Sequence, residues 1–270
     1  MLLALGCDTN EPEPEPETGC NGAELLCGRR VDEVAYLRTH NSHASEERGY
    51  EVWSRNQFEA IPTQLSAGVR SLNVDVYVEE GQVLACHGYC SLGSQPFDEV
   101  LEEIGDFLRE NPRELLLLDL QDETQGEARD TLALSDLPFA AQEAGQPWPT
   151  LGELVDADTR LYVFSKSASG DEDWFHPYGG FLYSTGWQYE EPEDLDCAAS
   201  PFEHGLYEVT HVLTNPLSHP DNAEAINHHP VLREHIERCQ AEVGFVNQVS
   251  VDYYSIGDGL DYIDELNGVS

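Results

Sequence analysis

Apolar positions change their period along this chain, and each period predicts an element. Val34-Ala35-Tyr36-Leu37 reads as a first strand, running into Thr39-His40-Asn41-Ser42-His43. Ser71 to Val78 alternates with period two, turns at Glu80-Gly81 and returns through Val83-Leu84-Ala85-Cys86-His87, the pattern of a strand and its hairpin partner. Phe97, Val100, Leu101, Ile104, Phe107 and Leu108 then recur at helical spacing. That spacing predicts an amphipathic helix over 97–110, ended by Asn111-Pro112. Leu115 to Leu120 is apolar except for Asp119, as expected of a parallel strand buried on both faces. Further strands are expected at Arg160–Phe164, around Phe181–Tyr183, at Leu206–Val209 and at Val246–Tyr253. Helices fit between several of them, including one over Asn222–Cys239.

Strand and helix alternating through the chain mean an α/β fold with a parallel sheet. The 270 residues suit one (β/α)8 TIM-type barrel, which takes ~250. Periodicity alone does not separate a barrel from an open doubly wound sheet. One detail favours the barrel: His40, Asp75, His87, Gln121, Asp122 and Asp252 follow the C-terminal ends of strands, where a barrel carries its active site. The chain has no Gly-rich phosphate loop or dinucleotide fingerprint.

Charge narrows the partners. Asp and Glu number 52 against 13 Lys and Arg, a formal net charge of −39, and Lys166 is the single lysine. Such a field repels nucleic acid and anionic bilayers and concentrates divalent cations. Its plainest effect is a well-solvated surface. Oligomerisation has no signal in the sequence, and a monomer is the default.

The first residues, Met1-Leu2-Leu3-Ala4-Leu5-Gly6-Cys7, resemble the end of a bacterial lipoprotein signal without its basic region, followed by a Glu-Pro repeat over Glu11–Glu17. The plainer alternative is an apolar tail with a spare thiol. On the first reading, residues 1–19 are a signal remnant and acidic linker, and 20–270 are the folded domain. Cys7 would then carry lipid and touch a membrane, and the protein would be secreted or held at the cell envelope. Six cysteines remain, an even number that suits an oxidising compartment. Fifteen pairings are possible; local spacing suggests Cys20–Cys27 and Cys86–Cys90, leaving Cys197–Cys239. A zinc site is the weaker alternative, since no Cys pair has two-residue spacing.

The candidate chemistry lies in two histidines at strand ends, His40 and His87. Phosphodiester cleavage needs one group to take a proton from the attacking hydroxyl and another to protonate the leaving alkoxide. Imidazole can do either near neutrality. Asp252 is positioned to orient His40 through its other ring nitrogen, or else to cap the following helix. His211, His228 and His229 end no such motif and read as structural or surface residues.

Thr39-His40-Asn41-Ser42-His43-Ala44, Gln64-Leu65 through Gly68-Val69-Arg70 to Asp75, and Cys86-His87-Gly88-Tyr89-Cys90 resemble successive motifs of the phosphatidylinositol-specific phospholipase C X-domain family. Phe107-Leu108, Asn111-Pro112 and Glu114 continue the likeness, as do Trp148–Leu154 and Val251–Asp258. The resemblance covers residues 20–268 and implies an incomplete (β/α)8 barrel. His40 would help activate an inositol hydroxyl, and His87 would protonate the diacylglycerol oxygen. In metal-independent members an arginine stands where this chain has Asp75. Calcium-dependent members carry an asparagine after the first histidine, a Glu-x-Asp pair and a later glutamate. Here those places hold Asn41, Asn73 with Asp75, and Gln121 with Asp122.

A divalent cation, calcium above others, is therefore expected on Asn41, Asn73, Asp75, Gln121 and Asp122, because amide oxygens can serve as ligands. Two amides in place of two glutamates weaken such a site unless Asp119, Asp122 or Glu123 joins it. The alternative for Asp75 is an ion pair with Arg70. The resemblance implies a phosphodiesterase acting on a phospholipid or a soluble phosphodiester. Other readings are a glycerophosphodiesterase, a sphingomyelinase-D-like enzyme, or a surface-binding lipoprotein on the same barrel without the reaction.

Overall fold

Four central strands bring the predicted site together: β1 (Tyr36–Thr39), β2 (Ser71–Glu79), β5 (Leu116–Asp122) and β10 (Gln248–Val251). Short strands β3 (Gln82–Ala85) and β4 (Gln95–Pro96) extend β2 as an antiparallel ribbon. The remaining strands are β6 (Leu161–Ser165), β7 (Phe175–Pro177), β8 (Leu182–Ser184) and β9 (Leu206–His211). This computed structural model describes residues 18–214 and 217–269. Cys7 and the Glu-Pro repeat lie outside them. The strands run parallel in the order β7-β6-β5-β2-β1-β10-β9-β8. Consecutive strands β7 and β8 occupy the two edges, and among the described residues no ladder joins them. The fold is an incompletely closed (β/α)8-type barrel in one domain.

Helices α1 (Ile61–Ala67), α2 (Phe97–Glu110), α3 (Glu127–Ala133), α4 (Leu151–Ala157), α5 (Pro220–Ile226), α6 (Val231–Glu242) and α7 (Gly259–Asn267) accompany the sheet. Their boundaries have local causes. Gly68 ends α1 in the left-handed region at φ 112°. Thr150 and Glu153 form a reciprocal capping box before α4. The single helix expected over Asn222–Cys239 is two, α5 and α6, broken at Asn227–Pro230. Pro230 lacks the N–H that a helix interior needs and clashes with the preceding turn. Strand β7 is not foreseen by the pattern, since it is three residues long and includes Pro177.

Strand alternation gives the barrel two different faces. Outward, Leu72, Val74, Val76, Leu116, Leu118 and Leu120 pack with Phe97, Ile104 and Leu108 of α2. Inward, Tyr36, Leu117, Tyr162, Phe164 and Leu206 form a second cluster. Above it Arg38 reaches Asp119 at 2.6 Å and Glu208 at 2.9 Å. Asp119 is thus committed to Arg38. Three disulfides, Cys20–Cys27, Cys86–Cys90 and Cys197–Cys239, match the spacing-based pairs.

After β10, Gly257 (φ 87°) passes so close to the turn before α6 that an added Cβ would sit 2.3 Å from the Asn227 carbonyl oxygen. Asn227 in turn donates to the Asp252 carbonyl at 2.9 Å. Gly257→Ala is expected to cost about 1–3 kcal/mol, since backbone cannot yield as a side chain can. Chemical denaturation of the variant checks this.

Candidate active site

Thr39 and Val251 pair in register at the ends of β1 and β10, so His40 and Asp252 leave neighbouring strands side by side. His40 Nδ1 lies 2.9 Å from Asp252 Oδ1. An ionised carboxylate only accepts, so Nδ1 carries the proton, and in the neutral ring Nε2 keeps its lone pair. Asn41 Nδ2 approaches that nitrogen at 3.3 Å. The residue after each partner is left-handed, Asn41 at φ 47° and Tyr253 at φ 46°. For non-glycine residues this region is uncommon and clusters at turns and working sites.

His87 follows β3, in the short loop closed by Cys86–Cys90. Its Nδ1 lies 3.0 Å from the Ser54 carbonyl, another group that only accepts, which leaves its Nε2 for chemistry. The two rings differ electrostatically. Burial disfavours the charged form of His40, but the charge and hydrogen bond of Asp252 outweigh it, so its pKa lies above the usual histidine value. Burial and the charge of His40 hold His87 below that value.

Of the five candidate metal ligands, Asp75 and Gln121 meet directly, and Asn41 reaches the site beside His40, its Nδ2 3.3 Å from His40 Nε2. Gln121 Nε2 points at Asp75 Oδ2 at 3.4 Å, and burial pushes the Asp75 carboxyl up to about 6. Asn73 is buried beside them but holds backbone: its Oδ1 accepts from Asn41 N at 3.1 Å and its Nδ2 donates to the Asp119 carbonyl at 3.3 Å. Asp122 does not join. One residue beyond Gln121, it lies on the opposite face of β5, where it accepts from Thr124 N at 2.8 Å and from Ser167 Oγ. Glu123 pairs with Lys166. Arg70 binds Glu114 at 2.5 Å rather than Asp75.

The donor set fits a divalent cation in one respect that can be read directly. Asn41 Oδ1 and Asp75 Oδ1 are buried with no hydrogen-bond partner, and unpaired buried oxygens are what a hard cation takes up. Among the described residues the only cluster of three His, Cys or acidic ligands is Cys197, His235 and Cys239. Its two sulfurs are bonded to each other, so it offers no thiolate.

Several residues at the site escape sequence reasoning. Ser54, Asn56 and Gln57 lie in an irregular loop whose only signal is the adjacent pair of amides. His43 is buried, and burial holds its pKa down to about 3, keeping it neutral beside His87. His211, read as structural, is buried and bonded to His235 at 2.8 Å and to the Ile226 carbonyl at 3.0 Å.

A family model described as PI-PLC X 1 matches residues 26–267. The chain belongs to the PI-PLC X domain family. Among relatives, a PI-PLC X domain-containing protein of Arabidopsis thaliana is 24% identical over 290 residues, covering 90% of this chain and 64% of its own length. A secreted protein of Arthroderma benhamiae is 24% identical over 172 residues, covering 58% and 37%. The chain thus spans between about a third and two thirds of these relatives. In the fold, phosphatidylinositol-specific phospholipase C from Listeria monocytogenes matches with a TM-score of 0.64 at 13% identity, covering 91% of this chain and 97% of that one. A Staphylococcus aureus phosphatidylinositol-specific phospholipase C gives 0.67 at 14%, covering 89% and 95%.

Proposed function

We propose that the chain is a phosphodiesterase that cleaves the phosphodiester of a phosphoinositide or related lipid by acid–base catalysis between His40 and His87, assisted by a divalent cation. The observation that carries this reading is that both histidines commit Nδ1 elsewhere, to Asp252 and to the Ser54 carbonyl, which leaves Nε2 as the nitrogen for chemistry on each ring, with Asn41 Nδ2 3.3 Å from that of His40. His40 Nε2 takes the proton of the attacking hydroxyl, and Asp252 stabilises the imidazolium that results. His87, when protonated, gives its Nε2 proton to the leaving oxygen. Ring environments in the free chain favour the proton on His40. A bound phosphodiester brings a negative charge that raises His87 toward its acid form. Asn41, Asp75 and Gln121 would hold the cation, which when bound offsets charge on the phosphoryl oxygens.

The net charge of −39 disfavours an anionic bilayer, so a dispersed or soluble phosphodiester is the favoured form of substrate. The three disulfides and the secreted relative support an extracellular location; Cys7, the proposed lipid anchor, lies outside the described residues. No described helix is long and apolar enough to cross a membrane.

Turnover measured on phosphatidylinositol and on glycerophosphodiesters, with calcium and with chelator, tests the proposal. Calcium-dependent release of an inositol phosphate supports it and separates it from a glycerophosphodiesterase. No turnover on any phosphodiester with metal supplied overturns it, and leaves a barrel used for binding. Asp75→Asn is expected to raise the calcium midpoint by at least the ~10–100-fold that loss of an outer-shell partner costs. Asp122→Asn, on the far face of β5, is expected to leave that midpoint within about 3-fold, on the same scale.

A further inference from the structure

We infer that Asn56 is a positioning residue, a single amide that locks His40 and Asp252 in their working arrangement and fixes which end of Asn41 faces the site. This rests on the acid–base reading above. Asn56 lies 16 residues after His40, in the irregular chain between β1 and α1 that no period marks, yet it is 1% exposed.

Its side chain spends both ends on the site. Nδ2 donates to Asp252 Oδ1 at 2.9 Å, the same oxygen that receives His40 Nδ1, and lies 3.4 Å from that ring nitrogen. Asp252 Oδ1 is thus held from two directions, and the carboxylate cannot rotate away from His40 without leaving a buried donor unpaired. Oδ1 of Asn56 accepts from Asn41 Nδ2 at 3.2 Å. Because a carbonyl oxygen only accepts, that contact sets the Asn41 amide with nitrogen toward Asn56 and leaves Asn41 Oδ1 as the unpartnered oxygen.

The backbone anchors the side chain. Asn56 N donates to the Ala44 carbonyl at 2.8 Å, and Tyr253 N donates to the Asn56 carbonyl at 2.7 Å. Gln57, also buried, binds the carbonyls of His40 and Val251 through Nε2 at 2.8 and 3.2 Å, and accepts from Tyr254 N at 3.1 Å. The two consecutive amides therefore stitch together the ends of β1 and β10, the two strands that deliver His40 and Asp252. A purely structural amide would need only the backbone half of this arrangement. The contacts to Asp252 and Asn41 are surplus to it, and they point into the site.

The test compares wild type with Asn56→Ala and with the near-isosteric Asn56→Leu, which has neither a donor for Asp252 nor an acceptor for Asn41. Two readouts are taken: the proton NMR resonance of the His40 Nδ1–H, and the split between kcat and KM on the phosphodiester found to be turned over. Expected for both variants is a Nδ1–H signal broadened or lost by exchange, with kcat about 10–100-fold lower, the loss of one or two charge-assisted hydrogen-bond contributions, and KM changed less than about 3-fold. If Asn56→Ala does not fold, Asn56→Leu decides alone. An unchanged Nδ1–H signal in a folded variant overturns the inference whether or not the protein turns over substrate. Were turnover absent in the wild type, the acid–base reading would fail while the resonance still judged Asn56.

Discussion

His40→Ala is expected to lower kcat on the accepted phosphodiester by about 10²–10⁴-fold, the range that a positioned general base supplies. The size follows from the geometry. Asp252 holds Nδ1 at 2.9 Å, so the ring is aimed and its basicity raised before substrate arrives, and alanine removes both the base and the group that Asp252 stabilises. KM is expected to change little, because the lost interaction belongs to the transition state. Stability is expected to hold, since the His40 side chain is 30% exposed and leaves no deep cavity, though Asp252 loses a partner. Steady-state kinetics at saturating substrate, with thermal unfolding as a control, make the measurement. A kcat within a few-fold of wild type would remove His40 from the reaction and, with it, the proposed mechanism. His87→Ala should fall by a similar factor, and its loss should be smaller on substrates with a better leaving group, because an acid matters least where the leaving oxygen needs no proton.

The second large effect concerns stability. Cys197→Ala with Cys239→Ala removes a bridge of sequence separation 42, and loop-closure entropy puts its contribution at about 4 kcal/mol. The same relation gives about 2 kcal/mol for the short Cys86–Cys90 loop. The bridge ties the segment before β9 to α6, and both cysteines are buried against the outer core. The double variant is expected to melt roughly 10 °C lower, using the per-residue unfolding entropy of a domain this size. Differential scanning calorimetry under non-reducing conditions reads it. A fall of less than about 3 °C would mean that the unfolded chain is not constrained by this bridge. Since neither cysteine is among the hydrogen-bond partners of the His40 and Asp252 side chains, kcat at a temperature well below both transitions is expected to match wild type.

Local patterns account for much of what is legible in the chain. Period-two runs mark β2 and β3, and helical spacing marks α2 to its last residue. These signals depend on contacts within a few residues, so they survive without tertiary context. The approach of His40, His87, Asp75 and Asp252 to one end of the barrel is also readable, because each follows a strand-like run. The facing of Gln121 and Asp122 was within reach of the same rule. Alternation puts them on opposite sides of β5, so only one of them can point at Asp75.

Other features required the folded chain. Strand β7 is three residues with a proline, and it is a strand because β6 offers it a ladder. Whether Asp119 serves a metal or Arg38 depends on a side chain from a different strand filling the barrel. Asn56 illustrates the limit most clearly. Its contacts to Asp252 bridge 196 residues of sequence, and its loop has no period from which burial could be read. Sequence determines the elements and places chemically apt residues at their ends. Only packing between distant segments decides which of those residues meet, because that choice is made by long-range contacts whose partners leave no periodic trace in either segment.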